Sequence, residues 1–374
     1  MPIGYLVTTA AVAWFTAFAL RPPMPRHSST SNAAYWFGFL VNELPFVAVA
    51  WLAASTALAL AQGDLFTPVG LVGLALAVLA SLGLGVVARR ALPARAALAR
   101  ALDEELGLEP TPRRRPSARS LLWPFAVRPR DVERIANVAY GERPAQRLDV
   151  YRHRSRPAGG PVLIHLHGGS FRRGRKSRES RPLLFRLARR GWVCISAGYR
   201  LLPEARFPAA HVDVKRVIAW AREHAAEYGG DPDRVLLVGG SAGGNLAVFA
   251  ALTPNDPAYQ PGFEHVDTEV LAAISLYGYY GPSDSRQPSS APAAHLRGDV
   301  PPCFFVHGDR DTIVIVEDAR AFAARLRSAS DGPVVYAELP HAQHTFDLLH
   351  SVRCEAVVDA VEAFADWSAS RRPG

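Results

Sequence analysis

Apolar residues follow two regimes along this chain. Near the N-terminus they run almost unbroken, over about Ile3–Leu20, Tyr35–Ala61 and Leu65–Val87. Beyond about Asp131 they come in short clusters divided by polar, glycine and proline residues. Each of the first three runs approaches or exceeds the roughly 18–20 residues that cross a bilayer, so residues 1–90 are expected to form a three-helix transmembrane region. The first run has neither a basic leader nor a small-residue cleavage site before Arg21-Pro22-Pro23, which argues against a removable signal peptide. Arg21 and Arg26 follow the first run, only Asp64 lies between the second and third, and Arg89-Arg90 follow the last. The positive-inside rule then puts the N-terminus outside and everything after the third span in the cytoplasm, as a multi-pass protein of the cell membrane.

The second run contains Asn42, Glu43 and Pro45. An ionisable residue inside a span is a functional candidate. The competing reading places Trp36–Leu44 at the interface, with Tyr35-Trp36 as an aromatic belt and the span beginning near Pro45.

In the C-terminal regime, strand-like and helix-like patterns alternate. Strands are expected at Arg147–Tyr151, Val162–Leu166, Trp192–Ala197, Val235–Val238, about Val270–Leu276, Cys303–Val306 and Val334–Leu339. Helices are expected at Leu183–Arg190, on the Val214, Val217, Ile218, Ala221, Ala225 face, at Ala242–Leu252, around Val316–Leu326 and around Glu355–Trp367. This alternation predicts an α/β fold over residues 131–374, a mostly parallel sheet with helices on both faces. Residues 91–130 read as a basic juxtamembrane linker. Within it Leu98, Leu102 and Leu106 suit a short helix on the membrane surface. Leu121–Phe125 forms a second apolar cluster, suited to a cap, a membrane contact or packing on the following domain.

Charge sharpens this picture. The formal charge is +8, and ten arginines against four acids lie between Arg89 and Arg130. A basic block beside a membrane span points to anionic lipid. Without interleaved aromatics or a recognisable module it does not point to nucleic acid. The three cysteines, Cys194, Cys303 and Cys354, lack metal-binding or disulfide spacing and read as buried thiols, so no metal site is expected.

Candidate chemistry lies at the strand ends. Val235–Val238 runs into Gly239-Gly240-Ser241-Ala242-Gly243 and then a helix, a strand–turn–helix with Ser241 at its apex. Such a turn presents a nucleophilic hydroxyl beside a helix N-terminus. His167-Gly168-Gly169-Ser170 follows an earlier strand, so Gly168 or Gly169 N–H, together with Ala242 N–H, are the candidate oxyanion donors. His167 is read as organising this loop. His307-Gly308-Asp309-Arg310-Asp311 follows a later strand and offers Asp311 as the acid, with Asp309 as runner-up. Pro340-His341-Ala342-Gln343-His344 follows the last strand and offers His344 as the base, with His341 as the alternative. The order Ser, Asp, His matches one serine-hydrolase fold among several.

Further stretches carry a resemblance. Tyr199-Arg200-Leu201-Leu202-Pro203-Glu204, Phe207-Pro208-Ala209-Ala210 with Asp213 and Trp220, and Gly230-Asp231-Pro232-Asp233-Arg234 before the elbow resemble the hormone-sensitive-lipase group of carboxylesterases, which have the α/β-hydrolase fold. Thr253-Pro254-Asn255-Asp256 through Tyr277-Gly278 resembles its membrane-anchored actinobacterial members. The likeness spans roughly Asp131–Trp367. It implies an esterase acting on acyl esters without cofactor or metal, with Ser241 as nucleophile, Asp311 as acid, His344 as base and Gly168, Gly169 and Ala242 lining the oxyanion hole. It also implies a cap built from N-terminal residues. The chain departs from the family at Ser170, often a third glycine, and at Gly240, commonly Asp. Acyl transfer to a lipid alcohol would use the same groups. A catalytically inactive membrane scaffold on the same fold is the reading from another class, and three spans are too few for a transporter. The run Arg172–Arg178 behind the glycine loop suits anionic headgroups or a lipid surface, and reads equally as a solvated helix start.

Overall fold

Eight strands build one sheet in the order β1-β2-β4-β3-β5-β6-β7-β8. They are β1 (Val132–Ala139), β2 (Arg147–His153), β3 (Gly160–Leu166), β4 (Val193–Ala197), β5 (Gly230–Gly240), β6 (Ala272–Leu276), β7 (Cys303–Gly308) and β8 (Val334–Leu339). The β1–β2 and β2–β4 pairs are antiparallel, and β4 through β8 run parallel. The computed structural model describes residues 2–22, 29–108 and 122–371.

The central strands are apolar on both sides because both sides are covered. Val162, Ile164 and Leu166 of β3 join Val235 and Leu237 of β5 in one core, while Leu163, Leu236 and Val238 point into the other. Helices α7 (Ala209–His224), α8 (Ala242–Leu252) and α9 (Val316–Ala329) contribute to the first core. Helices α6 (Arg181–Arg189) and α10 (Val352–Ser370) cover the second.

Strand β1 falls where no strand was expected. Its VERIANVA sequence is buried at Val132 but mostly half-exposed or exposed beyond it, as befits an edge strand.

Among the described residues the apolar N-terminal region forms four α-helices, α1 (Pro2–Leu20), α2 (Ser29–Glu43), α3 (Pro45–Ala61) and α4 (Pro68–Ala91). Helices α1 and α4 are each long and apolar enough to cross a membrane, while α2 and α3 meet that test only as a pair bent by 81°. The expected single run over Tyr35–Ala61 is therefore two helices. Pro45 opens α3, and its missing N–H and ring stop α2 from continuing. Helices α1 and α4 approach closely where Gly73 faces the Tyr5 ring and Gly83 faces Thr16; a Cβ at either glycine would lie under 3 Å from those side chains. The outward faces carry exposed Ile3, Val7, Trp14, Trp51, Leu79 and Leu82.

The linker helix α5 (Pro93–Leu106) corrects one expectation. Its stripe of Ala94, Leu98 and Leu102 is buried against the core beneath β8 and α10, not laid on a membrane surface. Arg95 pairs with Asp359 at 2.5 Å, and Glu105 accepts the Val334 N–H at 3.1 Å. Leu122, Trp123 and Phe125 of the next cluster are largely exposed, and Leu121 lies outside the described residues.

Candidate active site

Every expected site residue lies at the carboxyl edge of the parallel strands. Gly168 and Gly169 follow β3, Ser241 follows β5, Asp311 follows β7 and His344 follows β8. This edge is where open α/β sheets bind ligands.

Ser241 has φ 54° and ψ −116°, a backbone conformation that disfavours a side chain. Its N–H is tied to Leu276 O at 3.0 Å, and its carbonyl accepts Asn245 N–H at 3.1 Å, opening α8. Glycine is required around it: a Cβ on Gly239 would collide with the Gly243 carbonyl, and one on Gly243 with the Leu166 carbonyl. At Gly240 the obstacle is Tyr277, whose hydroxyl end fills the space of a residue-240 side chain. The glycine where resembling enzymes carry Asp thus makes room for this tyrosine.

Asp311 and His344 meet as expected. Asp311 Oδ2 lies 2.6 Å from His344 Nδ1, and Oδ1 accepts the N–H groups of Ile313 (2.8 Å) and Val314 (2.9 Å). Burial alone would raise the Asp311 carboxyl. The adjacent His344 and the hydrogen bonds from His307 and His344 outweigh it and hold the group well below the usual carboxylate range. Asp309 and His341 lie apart from this pair. The Asp309 carboxyl is raised by burial and faces His341, whose ring is on the partly exposed side of the loop. Tyr277 connects base and elbow, since its ring stands edge-on to His344 with centroids 4.6 Å apart.

The glycine loop is also ordered as expected around His167. Its ring stacks on Tyr199 at 4.3 Å, its Nδ1 bonds Gly168 O at 2.7 Å, and burial pushes its pKa down to about 4, so it stays neutral. The two glycines differ. Gly168 N–H donates to Glu179 Oε2 at 2.6 Å, so of the two glycines expected to offer an oxyanion donor it is the one already engaged. Its Cα still lines the site, because a Cβ there would lie 3.3 Å from Ser241 Cβ. Gly169 N–H has no acceptor among the described residues. Ala242 N–H belongs to the first turn of α8, where no intrahelical acceptor exists. Ser170 and Phe171 follow with φ of 55° and 58°, left-handed values held without glycine.

Two residues beside the site, Glu179 and Asp347, carried no pattern that would single them out. Glu179 is buried behind the glycine loop. Desolvation and the charge of Asp347 raise its carboxyl to about 7. Asp347, itself raised by burial, takes hydrogen bonds from Ser180 and Tyr277. Glu179 was hidden in an arginine-rich run that reads as charged surface; only the folded chain shows it turned inward.

Comparison with known proteins bears on the fold and the class of activity. The BD-FAE family model matches residues 148–290. "Probable carboxylic ester hydrolase LipM" of Mycobacterium tuberculosis is 38% identical, over 97% of this chain and 92% of its own length. Esterase LipQ of the same organism is 40% identical over 61% of this chain and 60% of its own. Among solved structures, Thermogutta terrifontis esterase 2 phosphorylated by paraoxon is 27% identical with a TM-score of 0.51, covering 58% of this chain and 85% of that one. A sheet of this topology with a serine elbow defines an α/β-hydrolase. The chain belongs to the hormone-sensitive-lipase-like carboxylic ester hydrolases typified by these mycobacterial relatives, and it is an esterase.

Proposed function

We propose that this esterase works through a Ser241–His344–Asp311 triad and an acyl-enzyme intermediate, close to a membrane surface. The observation that carries the reading is the 2.6 Å Asp311–His344 bond, set at the same sheet edge as the strained Ser241 turn. Asp311 fixes the imidazole so that Nδ1 keeps its proton and Nε2 serves as base. His344 takes the hydroxyl proton as Ser241 Oγ attacks the ester carbonyl, then returns it to the leaving alcohol. Water repeats the cycle on the acyl-enzyme. Gly169 and Ala242 N–H receive the oxyanion, and loss of one such donor costs about 3 kcal/mol of barrier.

Ser241→Ala is expected to leave the fold and melting temperature near wild type while abolishing p-nitrophenyl ester turnover and phosphorylation by paraoxon. Stoichiometric labelling of that variant would remove Ser241 from the mechanism. Paraoxon suits this test because it phosphorylates the structural relative.

The membrane reading has separate support. Helices α1 and α4 are long and apolar enough to cross a bilayer, and the bent α2–α3 pair supplies a third crossing if it acts as one span. The positive-inside pattern then puts the hydrolase domain on the cytoplasmic face. Arg175, Arg178 and Arg181 line a cavity of about 380 Å³ together with Phe125, Leu348 and Leu349. Arg181 lies over the Phe185 ring and Arg178 beside the buried Glu179, and a cavity with three arginines in its wall suits the anionic headgroups of a lipid surface.

A further inference from the structure

The loop that carries His344 is conformationally expensive. His341 and Thr345, on either side of the base, have φ of 55° and 57° although neither is glycine. Such a loop keeps one shape only when its surroundings over-determine it. Those surroundings come in large part from α2. Tyr35 OH bonds Thr345 Oγ1 at 2.6 Å, and the Tyr35 ring stands edge-on to His344 with centroids 6.3 Å apart. Phe39 packs with Leu349. Asn42 Nδ2 donates to His341 O at 3.2 Å. One Glu43 oxygen accepts the Ser351 hydroxyl at 2.8 Å and the other pairs with Arg353, whose side chain, like that of Glu43, is wholly buried. Arg353 in turn reaches His341 O at 3.5 Å, and Ser351 caps α10 through Cys354 N–H at 3.0 Å.

Tyr35, Phe39, Asn42 and Glu43 are spaced i, i+4, i+7 and i+8, which is one face of a helix. That face touches the His344 loop at 341, 345, 349 and 351, while Trp36, Phe37 and Leu40 of α2 remain exposed. A fully buried ion pair is a poor source of net stability but a good device for fixing one geometry. Here it fixes the junction between the apolar helices and the end of the catalytic loop.

We infer that α2 is a template for the catalytic base, with Glu43, Asn42 and Tyr35 as positioning residues that hold the His341–Ser351 loop so that His344 faces Ser241. The inference rests on His344 being the base. The helical region is then part of the esterase site as well as an anchor.

The test uses the full-length protein in neutral detergent. Glu43→Gln is expected to lower kcat about tenfold and to slow paraoxon phosphorylation of Ser241 by a similar factor, with KM within about twofold of wild type, because a small displacement of a general base costs turnover before binding. Tyr35→Phe/Asn42→Ala removes the hydrogen bonds to Thr345 and to the His341 carbonyl, and with them the 3.3 Å bond from Asn42 to Glu43, but leaves Glu43 paired with Arg353 and Ser351. It is expected to show the same kcat-selective loss and carries the test if Glu43→Gln does not fold. Tyr5→Ala, buried between Thr56 and Gly73 on helices other than α2, is expected to lower the melting temperature and leave kcat unchanged. Wild-type kcat and labelling rate in the folded variants, or an equal kcat loss in Tyr5→Ala, would overturn the template. His344→Ala separates the two levels: if it stays active the triad reading fails, whereas an inactive His344→Ala beside an unimpaired Tyr35→Phe/Asn42→Ala refutes the template alone.

Discussion

Glu179 sits behind the glycine loop with its carboxylate on Gly168 N–H, so its protonation is linked to folding. Its pKa is raised from 4.5 to about 7 in the folded chain. The native state therefore holds the proton more tightly than the unfolded chain, and stability falls as pH rises from about 4.5 through 7. At 1.36 kcal/mol per unit, the ionised carboxylate costs at most about 3 kcal/mol above that window. Glu179→Gln keeps an acceptor for Gly168 and removes the charge. It is expected to melt higher than wild type at pH 8, with the gain disappearing near pH 5, as thermal unfolding across that range will read. A pH-independent difference would mean that Glu179 does not titrate there. The two lysines of this arginine-rich chain also do specific jobs. Lys215 is buried, with Nζ donating to the Ala250 and Thr253 carbonyls and to Thr268 Oγ1, where acceptors surround a point in a way a planar guanidinium does not match. Lys176 reaches Asp149 at 2.6 Å.

At the level of elements, what could be read in advance follows a simple division. Ser241, Asp311 and His344 were legible as candidates because each lies in the loop that follows a parallel strand, whereas the choice of Asp311 over Asp309 and of His344 over His341 needed the 2.6 Å contact that only the folded chain shows. The face of α5 was legible too, from Leu98, Leu102 and Leu106. Its partner was not, because periodicity says that a face is covered and leaves open by what. Docking onto β8 and α10 makes Leu98→Ala a core truncation, expected to cost about 3 kcal/mol by denaturant unfolding. A helix lying on lipid would lose almost nothing in the same measurement. Strand β1 escaped notice since its edge position needs no apolar run. Glu179 and Glu43 were beyond reach for a different reason: their environment is assembled from segments far apart in sequence. Glu43 did announce itself as an ionisable residue amid apolar neighbours, but only its contact with Ser351 and Arg353 gives that oddity a meaning.

For the whole molecule, the helices and the hydrolase domain share an interface at the loop that carries His344. The arginine-lined cavity lies against Leu348 and Leu349, in the same loop as His344. If that cavity receives headgroups, esterase activity should rise on mixed micelles containing anionic phospholipid, and the rise should fade at high salt as charge is screened. Arg175→Glu/Arg178→Glu is expected to lose the activation while keeping its rate on neutral micelles. Equal activation of variant and wild type would detach the arginines from lipid recognition.

The bend at Leu44-Pro45 has a practical consequence for anyone handling this protein. The residue just before it, Glu43, is joined to Arg353 some three hundred positions later, so the two ends of the gene are tied at one buried point. Trimming the apolar leader to obtain a soluble preparation discards a wall of the workshop along with its foundation. Hybrids that graft the leader of one relative onto the hydrolase of another will inherit mismatched halves, unless the face of the bent helix and the loop it supports are exchanged together.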